Sequence, residues 1–335
     1  MSIQMKTKRS SKTYVVTGAA GFIGDNLARS LASQGHEVIW VDALAHFQSR
    51  TQEHPLSKKA EKIDRDHFAK WLRSEAQNKK IDGIFHLGAC TDTTELNVEY
   101  LRKINIEYSK DLWKLCSERK IPFVYASSAA TYGGGELSYD DDESKMALLK
   151  PLNPYGESKL IFDLWALDEE KKGIHPPSWA GFKFFNVYGF GERHKGKMSS
   201  VIIQAFDQIQ SKGSMKLFRS HKDGIADGEQ KRDFIFVEDV VSVLKFAMEK
   251  PITRGIYNLG TGQARTFLDL ARATFAALKK PEKIEFMDTP VGLRERYQYF
   301  TEARMQKLRS AGYSAPFASL EAGIEKYVER LLSES

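Results

Sequence analysis

The sequence predicts an α/β fold in which helices flank a doubly wound parallel sheet and a smaller α/β lobe is attached. Three observations carry this. Short runs of β-branched and aromatic residues alternate with helical patterns over the first half of the chain, the signature of βαβ units. Gly18, Gly21 and Gly24 lie between the first such run and the first helical pattern. The second run ends in an acid, Asp42.

The elements follow in order. Thr13–Thr17 reads as the first strand, and a helix carrying Phe22, Ile23, Leu27 and Leu31 runs until Gly35 stops it. Val38–Val41 is the second strand, and Gly83–Leu87 and Pro122–Ala126 are later ones. Helices are expected around Phe68–Gln77 and Val98–Arg119. Parallel strands joined this way require right-handed crossovers. The pattern changes after about residue 175, with Gly-rich polar insertions at Gly189–Gly196 and Ser220–Gln230. Helices at Met198–Gln210, Val237–Met248, Thr266–Leu278 and Leu320–Leu332 follow, with short strands at Ile256–Leu259 and Ile284–Met287. Residues 12–180 are therefore expected to form a dinucleotide-binding domain to which 233–262 returns, and 181–335 mainly a substrate lobe.

Composition narrows the function classes. Of 335 residues, 41% are apolar, 11% aromatic and 28% charged, which is ordinary globular chemistry. The net charge of +6 owes much to Lys6, Lys8, Arg9 and Lys12 in a start that contains no acid. Residues 1–11 are expected to be a mobile basic tail, and the nearly neutral remainder argues against a nucleic-acid partner. No stretch approaches the roughly 20 apolar residues of a membrane span, and the basic start lacks the apolar core of a signal peptide. A cytoplasmic protein without a membrane partner is expected. Cys90 and Cys116 are too few for a disulfide framework, and the eight histidines form no metal-binding pair. No metal is expected.

The glycine spacing has a specific physical use. The first two glycines allow a tight turn and close approach to a pyrophosphate, and the third lets helix pack on strand. Asp42 then stands where an acid meets ribose hydroxyls. A carboxylate there favours NAD, but Arg50, Lys58, Lys59 and Arg65 follow and could answer a 2′-phosphate. The residues leave NAD and NADP open.

Ser127-Ser128 ends a strand, and Tyr155-Gly156-Glu157-Ser158-Lys159 follows. Residues four apart share a helix face, which brings Lys159 beside Tyr155. A free phenol, with a pKa of about 10, is a weak base at neutral pH. A neighbouring ammonium favours the phenolate and makes proton abstraction feasible. Ser128 can hold the substrate hydroxyl. The candidate catalytic set is Ser128, Tyr155 and Lys159.

With these residues in place, the chain resembles the extended short-chain dehydrogenase/reductase family. TGAAGFIG at 17–24, YGESK at 155–159, RDFIFVEDV at 232–240 and YNLGTG at 257–262 carry the likeness, the last two pointing to the nucleotide-sugar branch. HLGACTDTTE at 86–95, YASSAATYGG at 125–134, FFNVYG at 184–189, HKGKM at 194–198 and RYQYFT at 296–301 are together similar to the ADP-heptose 6-epimerases of that branch. The resemblance implies an NADP-dependent isomerase that inverts C6 of an ADP-linked heptose for the lipopolysaccharide core, working as a homo-oligomer, with a pentamer as the form the family suggests. It adds Lys195 as a second catalytic group opposite Tyr155. On the residues alone, Lys195 reads first as a solvated loop lysine.

The resemblance also implies contacts. Phe22, Ile23, Ala43, Leu87, Gly88, Ala89, Thr91 and Val187 would line the cofactor with the glycine turn, Asp42, Arg50, Arg65, Cys90, Lys159 and Lys195. Asn105 would support the site. Asn186, Lys197, Gln204, Phe218, Arg219, Ser220, His221, Arg232 and Tyr297 would meet the substrate with Ser128. Other uses remain open: Phe218 as core, and Arg232 paired with Asp233 or Asp239. Lys197 replaces the family's usual serine, and the loops after Asp42 and at 220–230 depart from its pattern. A UDP-hexose 4-epimerase and a non-catalytic dinucleotide sensor are the alternatives. A 4,6-dehydratase would need an acid pair where Ala129 and Ala130 stand, and a serine hydrolase a GxSxG motif.

Overall fold

The computed structural model describes residues 11–49, 55–250, 252–294 and 297–334. Arg50 and the basic segment apart from Ser11 lie outside the described residues. Seven strands form the central sheet: β1 (Thr13–Thr17), β2 (Glu37–Asp42), β3 (Glu61–Asp64), β4 (Gly83–His86), β5 (Phe123–Ser128), β6 (Trp179–Phe184) and, after a long excursion, Gly255–Leu259. The excursion contains β7 (Asn186–Tyr188), β8 (Met215–Phe218) and β9 (Lys231–Phe236), so the returning strand is β10; β11 (Ala264–Thr266) and β12 (Ile284–Met287) complete the set.

The sheet order is β10-β6-β5-β4-β1-β2-β3, and every pairing is parallel. Strand order reverses between β1 and β4, and ligands of such sheets bind beyond the carboxyl ends of the strands at that point. Both faces are covered: Val15, Ile39, Ile84 and Phe123 pack under Trp113, Phe162 and Trp179, while Tyr14, Val16, Trp40 and Val124 pack toward Leu27, Leu31, Val240 and Leu244. The second lobe has its own core, with Ile203, Phe206, Leu270, Phe275, Ile324 and Val328 around the β12-β8 pair and the β11-β9-β7 sheet.

Several elements differ from the sequence expectation. β3 reads Glu-Lys-Ile-Asp, an edge strand without an apolar run to betray it. β6 is interior yet contains Gly181 and Lys183, which interrupt its apolar pattern; a Cβ at Gly181 would sit 2.3 Å from the Tyr125 ring. The helix expected from Phe68 instead spans Arg65–Arg73, because the Asp64 side chain accepts the Asp66 N–H and starts it earlier. The segment expected from Met198 is a 3₁₀ turn, Arg193–Met198, followed by a separate helix, Val201–Lys212, which Ser200 caps. The long helix after β4 contains a π turn, Arg102–Glu107, between Val98–Leu101 and Tyr108–Glu118.

Candidate active site

The glycine turn joins β1 to the helix Phe22–Ser33. Gly18 has φ +70°, and a Cβ there would lie 2.7 Å from the Gly88 nitrogen. A Cβ on Gly24 would lie 2.1 Å from the Gly18 carbonyl oxygen, so the helix crosses the turn at backbone contact. Gly21 is the N-cap residue and no side chain caps the helix. Its first amides are placed to meet a phosphate instead. This cradle fits a dinucleotide. Phe22 is buried behind the turn and Ile23 half-buried.

Asp42, at the carboxyl end of β2, accepts the Ala20 N–H at 3.0 Å through one oxygen, and the Ala43 N–H and His46 Nδ1 through the other. The acid is therefore fastened to the glycine turn. Arg65 stands after β3 with its Nε 3.0 Å from Asp66, and Tyr108 lies near enough to feel its charge.

The end of β4 is tied across the switch point. Thr17 Oγ1 accepts the Gly88 N–H and bonds His86 Nδ1 at 2.8 Å, while His86 Nε2 meets Ser109 Oγ at 2.9 Å. The Ser109 hydroxyl donates its proton to the Asn105 carbonyl at 2.7 Å, so it must accept from Nε2–H. His86 is thus neutral, and burial pushes its pKa down to about 3. It is a satisfied interior histidine.

Leu87 to Thr91 run on from β4 beside this tie. Asn105, in the π turn, accepts the Cys90 N–H at 2.8 Å and donates to the Cys90 carbonyl and to Ser158 Oγ at 3.0 Å. Ser158 in turn donates to the Tyr155 carbonyl. One buried amide therefore sets the Cys90 loop against the helix Pro154–Lys171, which Asn153 caps. π turns recur at such functional positions.

Tyr155 is buried next to Ser128. Burial raises its pKa, and the nearby Ser128 side chain opposes that rise. Lys159 is buried one turn further on. Burial draws its pKa down to about 8, against the opposing pull of Asp163 and the Cys90 thiol. Ser128 also accepts the Ala130 N–H, so its hydroxyl oxygen has a fixed place at the mouth of β5. The three residues that sequence spacing grouped are together.

Lys195 sits in the 3₁₀ turn with its Nζ 5.9 Å from the centre of the Phe22 ring, against the first residue of the helix that follows the glycine turn. Burial lowers its pKa, with Glu192 opposing. Lys195 itself is half-buried, between exposed His194 and Gly196. Val187 and Asn186 lie on β7, the first half-buried and the second exposed.

The remaining candidates fall into two groups. Arg232 is buried at the start of β9, its guanidinium 5.4 Å from the Tyr297 ring and 5.6 Å from the Phe267 ring, and it donates to the Lys231 carbonyl. Burial lowers its pKa. It pairs with neither aspartate. Asp233 instead accepts from the Thr261 amide and hydroxyl and from the Gly262 and Ala303 amides, and Asp239 accepts from the Ala318 amide. Phe218 is half-buried with its ring 6.5 Å from that of Tyr297, so these two and Arg232 form one cluster. The His221 amide donates to Tyr299 beside it, and Ser220 donates to Asp227. Arg219 is exposed and bound to Asp227. Lys197 is exposed, and Gln204, also exposed, turns back to the Ser199 carbonyl.

Residues 14–260 match the NAD dependent epimerase/dehydratase family. The ADP-L-glycero-D-manno-heptose-6-epimerase of Fusobacterium nucleatum is 42% identical over 96% of this chain and 98% of its own length. The enzyme of that name from Nitratidesulfovibrio vulgaris is 44% identical, with the same shares of both chains covered. The chain belongs to the ADP-L-glycero-D-manno-heptose-6-epimerase family. It is by class an isomerase. A crystal structure of the Helicobacter pylori member superimposes with a TM-score of 0.79 at 27% identity, over 98% of this chain and 99% of that one.

Four polar residues that organise this site were absent from the sequence reading: Asp163, Lys183, Glu192 and His46. Asp163 carried a signal, since it repeats the four-residue spacing of Tyr155 and Lys159. Glu192 sits just before the HKG stretch and accepts from the Gly189 amide and the Ser200 hydroxyl and amide, which closes the loop carrying Lys195. Lys183 and His46 had no sequence pattern to single them out. Among the described residues no acid, histidine or cysteine cluster could hold a metal ion, and no helix is long and apolar enough to cross a membrane.

Proposed function

We propose that this epimerase inverts C6 of the heptose in ADP-D-glycero-β-D-manno-heptose, giving the L-glycero epimer. The names of its relatives support this substrate. The observation that carries the chemistry is a placement: Ser128 ends β5 beside the helix face that bears Tyr155 and Lys159, and Lys195 lies against Phe22 at the glycine turn.

A bound nicotinamide would accept hydride from C6 and return it. Around that exchange the protein moves one proton. In one direction Tyr155, with the Lys159 charge beside it and Ser128 holding the substrate oxygen, takes the 6-hydroxyl proton as hydride leaves C6. The resulting ketone rotates and presents its other face. Lys195 would then give a proton to the oxygen on that face, as a bound nicotinamide would supply the hydride. For the opposite epimer the two groups exchange roles. Arg232, buried without a carboxylate partner among the described residues and framed by Phe218 and Tyr297, would hold the diphosphate with its planar fork. Asn186 would reach the sugar.

The dinucleotide in this reading is NADP, with the glycine turn, Gly88 to Thr91, Asn105 and Lys159 lining it and Arg65 near its 2′-phosphate. Asp42 keeps NAD as the competitor. Residues 12–180 would supply most of the cofactor site and 181–335 most of the sugar site. A cytoplasmic homo-oligomer belongs to the same proposal; exposed Leu96, Val98 and Tyr100 offer apolar surface for contact between copies.

Incubation with ADP-D-glycero-β-D-manno-heptose and chromatographic separation of the epimers tests the substrate. No interconversion, with UDP-galactose turned over instead, rejects it in favour of a 4-epimerase. Mass analysis of nucleotide copurified with the enzyme decides the cofactor.

A further inference from the structure

Behind the Ser128–Tyr155 contact lies a buried ion pair that the mechanism above does not use. Asp163 and Lys183 are both fully buried, 2.7 Å apart. Asp163 occupies the Tyr155–Lys159 helix at the same four-residue spacing, so all three residues share a face. Lys183 comes from β6, next to β5 in the sheet.

The connections run to both sides of Ser128. The Asp163 carboxylate accepts the Ser127 hydroxyl at 2.7 Å and the Tyr125 hydroxyl at 3.0 Å. Lys183 donates to Thr131 Oγ1 at 2.7 Å, and that hydroxyl donates to the Ser128 carbonyl at 2.8 Å. A second fixed point lies two turns back along the helix: a Cβ on Gly156 would lie 2.7 Å from the Ala130 carbonyl oxygen. The helix is thus pinned to the end of β5 at Gly156 and again at Asp163. Lys159 stands between the pins and Tyr155 directly before the first of them, with Ser128 on the strand they hold.

We infer that the Asp163–Lys183 pair is a positioning device, which fixes the strand end bearing Ser128 against the helix bearing Tyr155 and Lys159 so that phenol and hydroxyl keep a fixed relative placement. A buried ion pair is weak evidence for stability, since apolar replacement of both partners is often neutral or stabilising. Its value here lies in geometry, because displacements of about 1 Å at reacting groups cost about 100-fold in rate. The inference rests on the epimerase reading only for its kinetic readout.

Asp163→Asn alone would strand a buried ammonium, so the informative variant is Asp163→Asn with Lys183→Met. It is expected to fold with a melting temperature near that of the wild type. Its kcat for heptose epimer interconversion should fall about 10- to 100-fold, with KM for the nucleotide sugar and the dinucleotide dissociation constant held within about twofold. Thr131→Val, which cuts only the link from Lys183 to the Ser128 carbonyl, should lower kcat about tenfold in the same pattern. Crystal structures of wild type and double variant, which need no substrate, should show the Tyr155 and Ser128 hydroxyls about 1 Å further apart in the variant. If kcat survives in both variants, or if kcat, KM and dinucleotide affinity collapse together, the pair is structural and the inference is overturned. If the wild type itself fails to interconvert the epimers, the substrate reading falls while the hydroxyl separation still decides this one.

Discussion

The two halves of the active site treat their charges differently. Around Ser128, Tyr155 and Lys159, the neighbouring polar groups are engaged: Asn105 uses its amide on three partners, Asp163 on three, and His86 both ring nitrogens. In the half built by the second lobe, Arg232 is buried between two aromatic rings with a backbone carbonyl as its hydrogen-bond acceptor. A fully engaged network costs nothing to reorganise when chemistry begins. A buried cation without a counter-charge does the reverse, and is relieved only when an anion arrives. On the proposed reading the groups that hold Ser128 and Tyr155 are in place before substrate binds, whereas Arg232 would gain its counter-charge from the ligand.

Changes in the first half should therefore strike turnover. Tyr155→Phe is expected to lower kcat about 10²- to 10⁴-fold, with dinucleotide affinity unchanged in a fluorescence titration. A Tyr155→Phe enzyme of near-normal kcat would remove the phenol from the chemistry. Lys195, although it comes from the later segment, belongs with these on the proposed reading: Lys195→Met should lower kcat about 100-fold, and an undiminished rate would mean that one proton-transfer group serves both epimers.

Changes in the second half should instead strike binding. Arg232→Met is expected to raise KM for the nucleotide sugar about 10- to 30-fold, the loss of roughly 2 kcal/mol from a charged hydrogen bond. Its melting temperature should stay level or rise, because a buried charge has been removed. A destabilised variant with normal KM would reverse the contrast between the halves.

The smallest expected effect is a pH dependence of stability from Lys159. Its pKa falls from 10.5 to about 8 on folding, with burial as the main cause. Between those values the unfolded chain binds more protons, so stability rises with pH there, and the cost of the buried ammonium is complete below about 8. Lys159→Met should consequently be more stable than wild type at neutral pH, with the gap closing as pH climbs toward 10.5 in denaturant titrations. A gap that widens with pH would contradict this assignment.

What the sequence made legible divides along physical lines. The glycine turn could be read because Gly18 and Gly24 answer backbone contacts that no side chain permits. Ser128, Tyr155 and Lys159 could be read because strand ends and helical spacing leave a local pattern. Arg232 was visible as a residue, but its lack of a carboxylate partner was not, since Asp233 stands next to it in sequence and turns away to the Thr261–Gly262 amides. β3 and β6 escaped for opposite reasons, one being a charged edge and the other an interior strand broken by a glycine and a lysine. Lys183 makes sense only once β6 is placed beside β5, a relation no local window contains.

The π turn at Arg102–Glu107 gives the long helix two phases. Downstream, Leu112, Trp113 and Cys116 are keyed to the sheet, while within the turn Asn105 is keyed to Cys90 and Ser158. Removing one residue from that turn would rewind it to regular pitch and rotate one set by about 100° relative to the other. The chain could then keep its hydrophobic seating or its amide clasp, but not both, so this stretch should tolerate substitution far better than any change in length.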